Sequence, residues 1–353
     1  MSKGKSSPGI QKIGVAVDRL VSVDLSARGF ITILHEEATK LNGGQPLCLT
    51  AARELERRAR PGGHMVIATG LPIRGWLTPE MAENDGPIGA AALARAAYLA
   101  LKSVPIMLCE TQQVHVLKAC LQAVGMTPVT FKQFDAATAS KWAVPGRDLP
   151  IAIVSGFTAD LKEVEAQASM ILARKPFAMV SIERQGRTER GTYHYGRGEE
   201  NIPSLMAKID ELFERATAQG VFTVGIGDGG NELGMANIGP IIREKLPFGD
   251  KLVPSAKVSL LVAATVSNFG AYGIEACLAA LTSNQSVLHS PAQELALIDA
   301  CVRAGAVDGV TGFIEPYVDA LPAEVCSGIT SMLHAIVKNG LTPSKIFAAP
   351  EAV

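Results

Sequence analysis

The residues best placed to do chemistry in this 353-residue chain sit in four loops that mix glycine with polar side chains. The densest runs from Gly225 to Met235. Four of its first six residues are glycine, and Asp228, Asn231 and Glu232 bring side-chain oxygens within one turn. Glycines such as Gly227, Gly229 and Gly230 let a backbone turn tightly and pass close to a ligand, and oxygens on such a loop suit a cation or an amine. The bland alternative is a strand-to-helix turn capped by Asp228 or Asn231, although a cap needs one polar residue and three are present. Gly225, Gly227 and Gly230 also fit the G-x-G-x-x-G spacing of dinucleotide loops. There Asp228 would set a carboxylate against a pyrophosphate, so NAD is not expected. No G-x-x-x-x-G-K-[ST] loop is present, and ATP is not expected either.

The other loops are shorter. Glu83 to Ala90 feeds an Ala-rich stretch and carries Asp85 and Gly86; Asp85 could cap that helix or touch a ligand. Ser181 to Arg187 follows an apolar run, and there Glu183, Arg184 and Arg187 could bind a carboxylate or form solvated salt bridges. Val266 to Tyr272 sets Ser267 and Asn268 beside Gly270, where they could cap the next helix or donate to an oxyanion. Two readings of the Gly225 loop stay open: a divalent ion (Mg²⁺, Mn²⁺ or Ca²⁺) on Asp228, Asn231 and Glu232, or a substrate ammonium bound directly by the same carboxylates. His64, His194 and His289 lack the spacing of a metal triad and read as structural. No G-x-S-x-G elbow supports a serine nucleophile.

Something must hold these loops together. Short β-branched runs alternate with Ala-rich helical stretches, which predicts an α/β fold: a mostly parallel sheet flanked by helices in Rossmann-like layers. Strands are expected at His64–Thr69, Val104–Cys109, Pro128–Phe131, Pro150–Val154, Phe177–Ile182, Val221–Ile226 and Lys257–Ala264. Helices are expected at Gly86–Lys102, Gln112–Val124, Asp160–Ala173, Ile202–Ala218, Ala271–Ala280, Pro291–Ala304 and Leu321–Lys338, with a hairpin or excursion at Gly186–Gly198. Ligands gather beyond the carboxyl ends of parallel strands, so the loops around Asp85, Arg184, Asp228 and Ser267 should converge on one cleft. Residues 1–12 read as a frayed tail and 13–345 as the α/β domain, with a boundary between two lobes near 144–150 or a single wrapped domain.

Composition narrows the partners. Lys plus Arg (33) nearly balance Asp plus Glu (34), so neither nucleic acid nor an anionic membrane surface is expected to bind. Apolar residues reach 48% with only 5% aromatic, which calls for a core of Ala, Val, Ile and Leu. Six scattered cysteines without C-x-x-C pairs imply reduced, buried thiols and a cytoplasmic setting. Ser259 to Leu281 is apolar but interrupted by Ser267, Asn268 and Glu275, so it reads as strand, loop and helix rather than as a membrane span. A small-molecule substrate fits this profile, which leaves a homo-oligomer open.

Taken in order, Val17–Asp24, Thr69–Gly70, Asn84–Ala90, Ile182–Arg187 with Tyr193, Gly225–Met235 and Ser267–Tyr272 resemble the C-terminal-type domain of D-glutamate cyclases. Asn84, Phe269 and Ala236 stand where that family's pattern has Thr, Trp and Gly. The resemblance implies a stand-alone form of a domain that longer members carry behind an N-terminal one. It also implies conversion of D-glutamate to 5-oxo-D-proline with loss of water, or a related hydro-lyase reaction on a small amino or dicarboxylic acid. On that reading Asp228 or Glu232 takes the amine proton. A loop-bound ion, or Ser267 and Asn268, stabilises the oxyanion, and Arg184 binds the α-carboxylate. Asp85, Gly86, Glu183 and the Gly225-loop residues Gly227, Gly229, Gly230 and Asn231 complete the substrate contacts. The competing reading is a non-catalytic nucleotide- or metabolite-binding module built on Gly225–Gly230.

Overall fold

A computed structural model describes residues 8–70, 72–140 and 149–342. The chain opens with helices α1 (Pro8–Val21), α2 (Phe30–Leu41) and α3 (Leu47–Arg58), then runs β1 (His64–Ala68), α4 (Pro87–Leu101), β2 (Val104–Glu110), α5 (Val114–Ala123) and β3 (Thr127–Val129). It continues through α6 (Phe131–Ala139), β4 (Ile151–Phe157), α7 (Leu161–Leu172), β5 (Ala178–Ile182), α8 (Ile209–Ala218) and β6 (Phe222–Gly227). The last stretch holds α9 (Gly239–Lys245), α10 (Gly249–Leu252), β7 (Leu260–Ala263), α11 (Ser267–Leu281), α12 (Pro291–Arg303), the short β8 (Tyr317–Val318) and β9 (Leu321–Pro322), and α13 (Ala323–Leu341).

Seven strands form one sheet in the order β3-β4-β2-β1-β5-β6-β7, with every pairing parallel. Strand β1 is central, Met65 lying opposite Pro105 on one side and Ala178 on the other. Parallel strands buried on both faces need apolar side chains on both, and β1, β2, β5, β6 and β7 supply them. One face is covered by α7 and α8 through Val164, Ile171, Ile209, Leu212 and Phe213. The other packs first against α4 and α11, whose alanines permit close approach, and α1, α3, α5, α12 and α13 lie around that pair. Both α4 and α11 are therefore buried nearly all round.

Several expectations are corrected. Pro8–Lys12, placed in a tail, form the first turns of α1, which anchors through Ile13, Val17 and Val21; residues 1–7 lie outside those described. The proposed lobe boundary falls partly on 141–148, also outside the described residues, but β3 and β4 on either side of it pair directly in one sheet. The helix expected from Ile202 begins only at Ile209, because Ala207 and Lys208 donate their amides to Glu110 and to the Thr158 carbonyl. Helix α11 begins at Ser267, four residues before its expected start.

All six cysteines are buried and unbridged. Among the described residues no helix is long and apolar enough to cross a membrane. The outer helices are tied to α11 by a polar network with no exposure. His289 sits 2.6 Å from Glu275 and 3.0 Å from Glu294, and Tyr272 donates to Glu294 at 2.9 Å. Burial would lower the imidazole pKa, but the two carboxylates more than reverse that and push it up to about 10.

Candidate active site

The loop between β1 and α4 and the start of α11 hold each other by exchanged caps. Asp85 accepts the amides of Ser267 (2.9 Å) and Asn268 (2.8 Å) at the open end of α11. Asn268 Oδ1 in return accepts the amides of Gly86 (2.9 Å) and Gly89 (2.7 Å) at the open end of α4. Each helix thus has its unpaired first-turn donors met by the other's loop. Gly86 has φ +101, and a Cβ there would fall 2.5 Å from Thr69 Oγ1, so glycine is required. This corrects two expectations: Asp85 caps chiefly α11, meeting its own helix only at the Gly86 amide (3.0 Å), and the Asn268 carboxamide is committed to capping rather than free for an oxyanion. Asn268→Ala would strand the buried Gly89 amide and leave Gly86 only its bond to Asp85 (3.0 Å), so we expect it to destabilise the fold by about 1–3 kcal/mol in a denaturant melt. An unchanged midpoint would refute the exchange.

Beyond β5 the chain turns sharply. Glu183 takes a left-handed φ of 44°, and its carboxylate accepts the Ser267 hydroxyl at 2.6 Å. The next side chain goes elsewhere. The Arg184 guanidinium, with no exposure, pairs with Glu110 and donates to the carbonyls of Gly70 (2.7 Å) and Ala207 (2.6 Å). Arg184 is therefore a buried structural cation, which corrects its expected role as the free binder of a substrate carboxylate. Arg187 bonds Asp210 at 2.9 Å and Glu211 at 2.8 Å, the salt-bridging alternative for that residue.

The Gly225 loop folds back on itself. Glu232 accepts the amides of Asp228 (3.2 Å), Gly229 (2.6 Å) and Gly230 (2.8 Å), and the loop is zipped to its neighbour by Leu233 N to Arg184 O (2.7 Å) and Gly186 N to Asn231 O (2.9 Å). A Cβ on Gly227 would strike Glu232 at 2.8 Å. Asn231 spends its amide on the His194 carbonyl at 2.8 Å. The expected ligand trio of Asp228, Asn231 and Glu232 is thereby redirected: Glu232 and Asn231 shape the loop, and Asp228 alone of the three joins the acidic group below. The amides that would face a pyrophosphate already hold the Glu232 carboxylate, which counts against a nucleotide at this loop. Nor does Asp228 cap a helix, since the next turn, Met235–Ile238, starts from Gly234 with no side-chain cap.

The result is an acidic grouping at the carboxyl edge of the sheet. Oxygens of Asp85, Glu183 and Asp228 lie within 4.8 Å of one another; the first two are buried and Asp228 is half-buried, on the open side. Burial first, and then repulsion from neighbouring acids, pushes the carboxyls of Asp85, Glu183, Asp228 and the adjacent Glu83 well above the usual carboxylate range. Asp319 is pushed up to about 6, again chiefly by burial. These are conditions under which carboxyls share protons, acting as general acid and base, or accept a cation such as an ammonium or a divalent ion. Thr69 and Glu83 stand in segments singled out by sequence but have no role assigned there, whereas Asp319 follows no strand of the main sheet and lies in none of those segments.

Residues 17–334 match the family model described as D-glutamate cyclase-like, C-terminal. The chain is also 30% identical over 225 residues to the human (Homo sapiens) protein named D-glutamate cyclase, mitochondrial; that stretch is 62% of this chain and 33% of the human one. The chain thus matches about a third of the length of that curated relative.

Proposed function

The chain belongs to the D-glutamate cyclase-like family, and from that premise we propose that it is a hydro-lyase closing D-glutamate onto its own γ-carboxyl, giving 5-oxo-D-proline and water. The observation that carries the reading is the trio of Asp85, Glu183 and Asp228 oxygens within 4.8 Å, at the edge of the sheet where parallel folds bind ligands. An acidic group of this kind suits a substrate that arrives as an ammonium. Asp228, on the open side, takes an ammonium proton, and the freed amine attacks the γ-carbon. A carbon–nitrogen bond forms, and the nitrogen gives up a second proton to a carboxylate of the group. One γ-oxygen takes up two protons, the first from a protonated carboxyl, and leaves as water as its carbon–oxygen bond breaks, the two protons taken from nitrogen restoring the group. Glu183, held by Ser267, is our candidate for that acid.

Because amine and carboxyl belong to one molecule, folding the substrate into a near-attack geometry supplies much of the rate. The raised pKa values place both proton transfers nearer neutral pH, where general acid–base catalysis is most effective. The same three carboxyls fit a divalent ion, which when bound would polarise the γ-carboxyl. Incubating the protein with D-glutamate and with L-glutamate, and following 5-oxoproline by mass spectrometry, tests the reading. Product from the D-isomer is expected, and its absence would overturn the proposal.

A further inference from the structure

The β8–β9 hairpin is tied to the loop that carries Asp85. Its turn residues Asp319 and Ala320 both adopt left-handed backbone, with φ of 50° and 61°. The fully buried Asp308 holds this turn by accepting the amides of Ala320 at 3.0 Å and Thr311 at 2.8 Å. Asn84, next to Asp85, donates from Nδ2 to the Tyr317 carbonyl at 2.5 Å. The Tyr317 carbonyl that Asn84 holds lies two residues before Asp319, so these bonds fix the Asp319 turn against the loop that carries Asp85.

Two further oxygens at this face have no partner within the protein: Thr69 Oγ1 and Asn84 Oδ1, on residues with no exposure. Thr69 Oγ1 faces the group, since a Cβ built on Gly86 would lie 2.5 Å from it and 3.0 Å from the Glu183 Cβ. Buried polar atoms are nearly always bonded, so acceptors left over beside carboxyls point to a ligand that brings its own donors. An ammonium brings three.

Resting on the amino-acid substrate proposed above, we infer that Asp319 is a specificity-determining residue that grips the substrate ammonium together with Asp228, and that Asp308 and Asn84 are its positioning residues. Calorimetry on the full chain tests this with two ligands, D-glutamate and glutarate, the same dicarboxylate without the amine. Asp319→Asn preserves size, and Asn tolerates left-handed φ, so the variant should fold, as a melt will verify. D-glutamate affinity should fall roughly 10- to 100-fold, the usual scale for a bond to a charged group. Glutarate should bind as before or more tightly, because the change removes negative charge facing a dianion.

A merely structural role would weaken both ligands in parallel, and that outcome overturns the inference. So does a D-glutamate affinity unchanged by the substitution, or a wild-type protein that does not bind D-glutamate at all. Should the wild type bind D-glutamate yet form no 5-oxoproline, the reaction reading fails while the ammonium contact stands or falls on the binding comparison. Asp308→Asn, acting through the hairpin, should shift D-glutamate affinity in the same direction as Asp319→Asn.

Discussion

Asp228→Asn is expected to cut 5-oxoproline formation by at least about 10²-fold, the lower end for losing a general base, while raising the melting temperature at neutral pH. The two effects have one cause. Burial, then the charges of Glu183, Asp319 and Glu232, pushes the Asp228 carboxyl well above its ordinary 3.8. The unfolded chain gives up this proton near pH 4 and the folded chain only at higher pH, so ionisation opposes folding progressively as pH rises from about 4 through the raised value. Asparagine cannot ionise. Its stabilising effect relative to wild type should therefore be small at pH 5 and larger at pH 8, a stability gain at the expense of activity. Full turnover in the variant, or a lower melting temperature at pH 8, would show that Asp228 is an ordinary loop residue.

Arg184→Met should act in the opposite way, on the fold before the chemistry. It leaves the buried Glu110 with the Ala207 amide but without its cation, and breaking a buried pair from one side costs about 3–5 kcal/mol. Burial already raises the Glu110 pKa, with Arg184 only partly opposing it, so the stranded carboxyl can protonate. The stability loss in denaturant melts should accordingly be smaller at pH 5 than at pH 8. Adding Glu110→Gln should restore part of the stability, because the unpaired charge is gone. If Arg184 were instead a free binder of a substrate carboxylate, Arg184→Met would melt like the wild type and raise only KM.

Much of the layout was legible in the chain. Strands β1, β2, β5 and β6 fall within a few residues of their apolar runs because parallel strands covered on both faces must be apolar throughout. Pro87 and the alanines after it marked α4 for the same reason, and the four glycine-bearing loops do meet at the strand carboxyl ends. The side-chain assignments were less legible, because each depends on a partner far away in sequence. Asp85 and Asn268 exchange caps across more than 180 positions, so local spacing favoured a cap for the nearer helix. Glu232 has the spacing of a metal ligand next to Asp228 and Asn231, but glycine amides in its own loop claim it first. Arg184 follows Glu183 directly, and the left-handed turn between them sends one side chain to the acidic group and the other into the core.

Other signals were present and went unread. Ile10, Ile13, Val17 and Val21 recur at helical spacing within and just after the supposed tail, and Thr130 with Gln133 forms the capping box of α6. Asp319 had no such signal, since only the folded hairpin brings its turn against the loop that carries Asp85.

The most direct test of the central claim, that the acidic group closes D-glutamate on itself with loss of water, uses D-glutamate carrying ¹⁸O in both γ-carboxyl oxygens. Wild-type protein and Asp228→Asn are incubated side by side, and product and solvent are read by mass spectrometry. Wild type is expected to yield 5-oxo-D-proline retaining one label, with the other released in water, and the variant at most about a hundredth as much. No labelled 5-oxoproline from wild type, or equal amounts from both proteins, would contradict it.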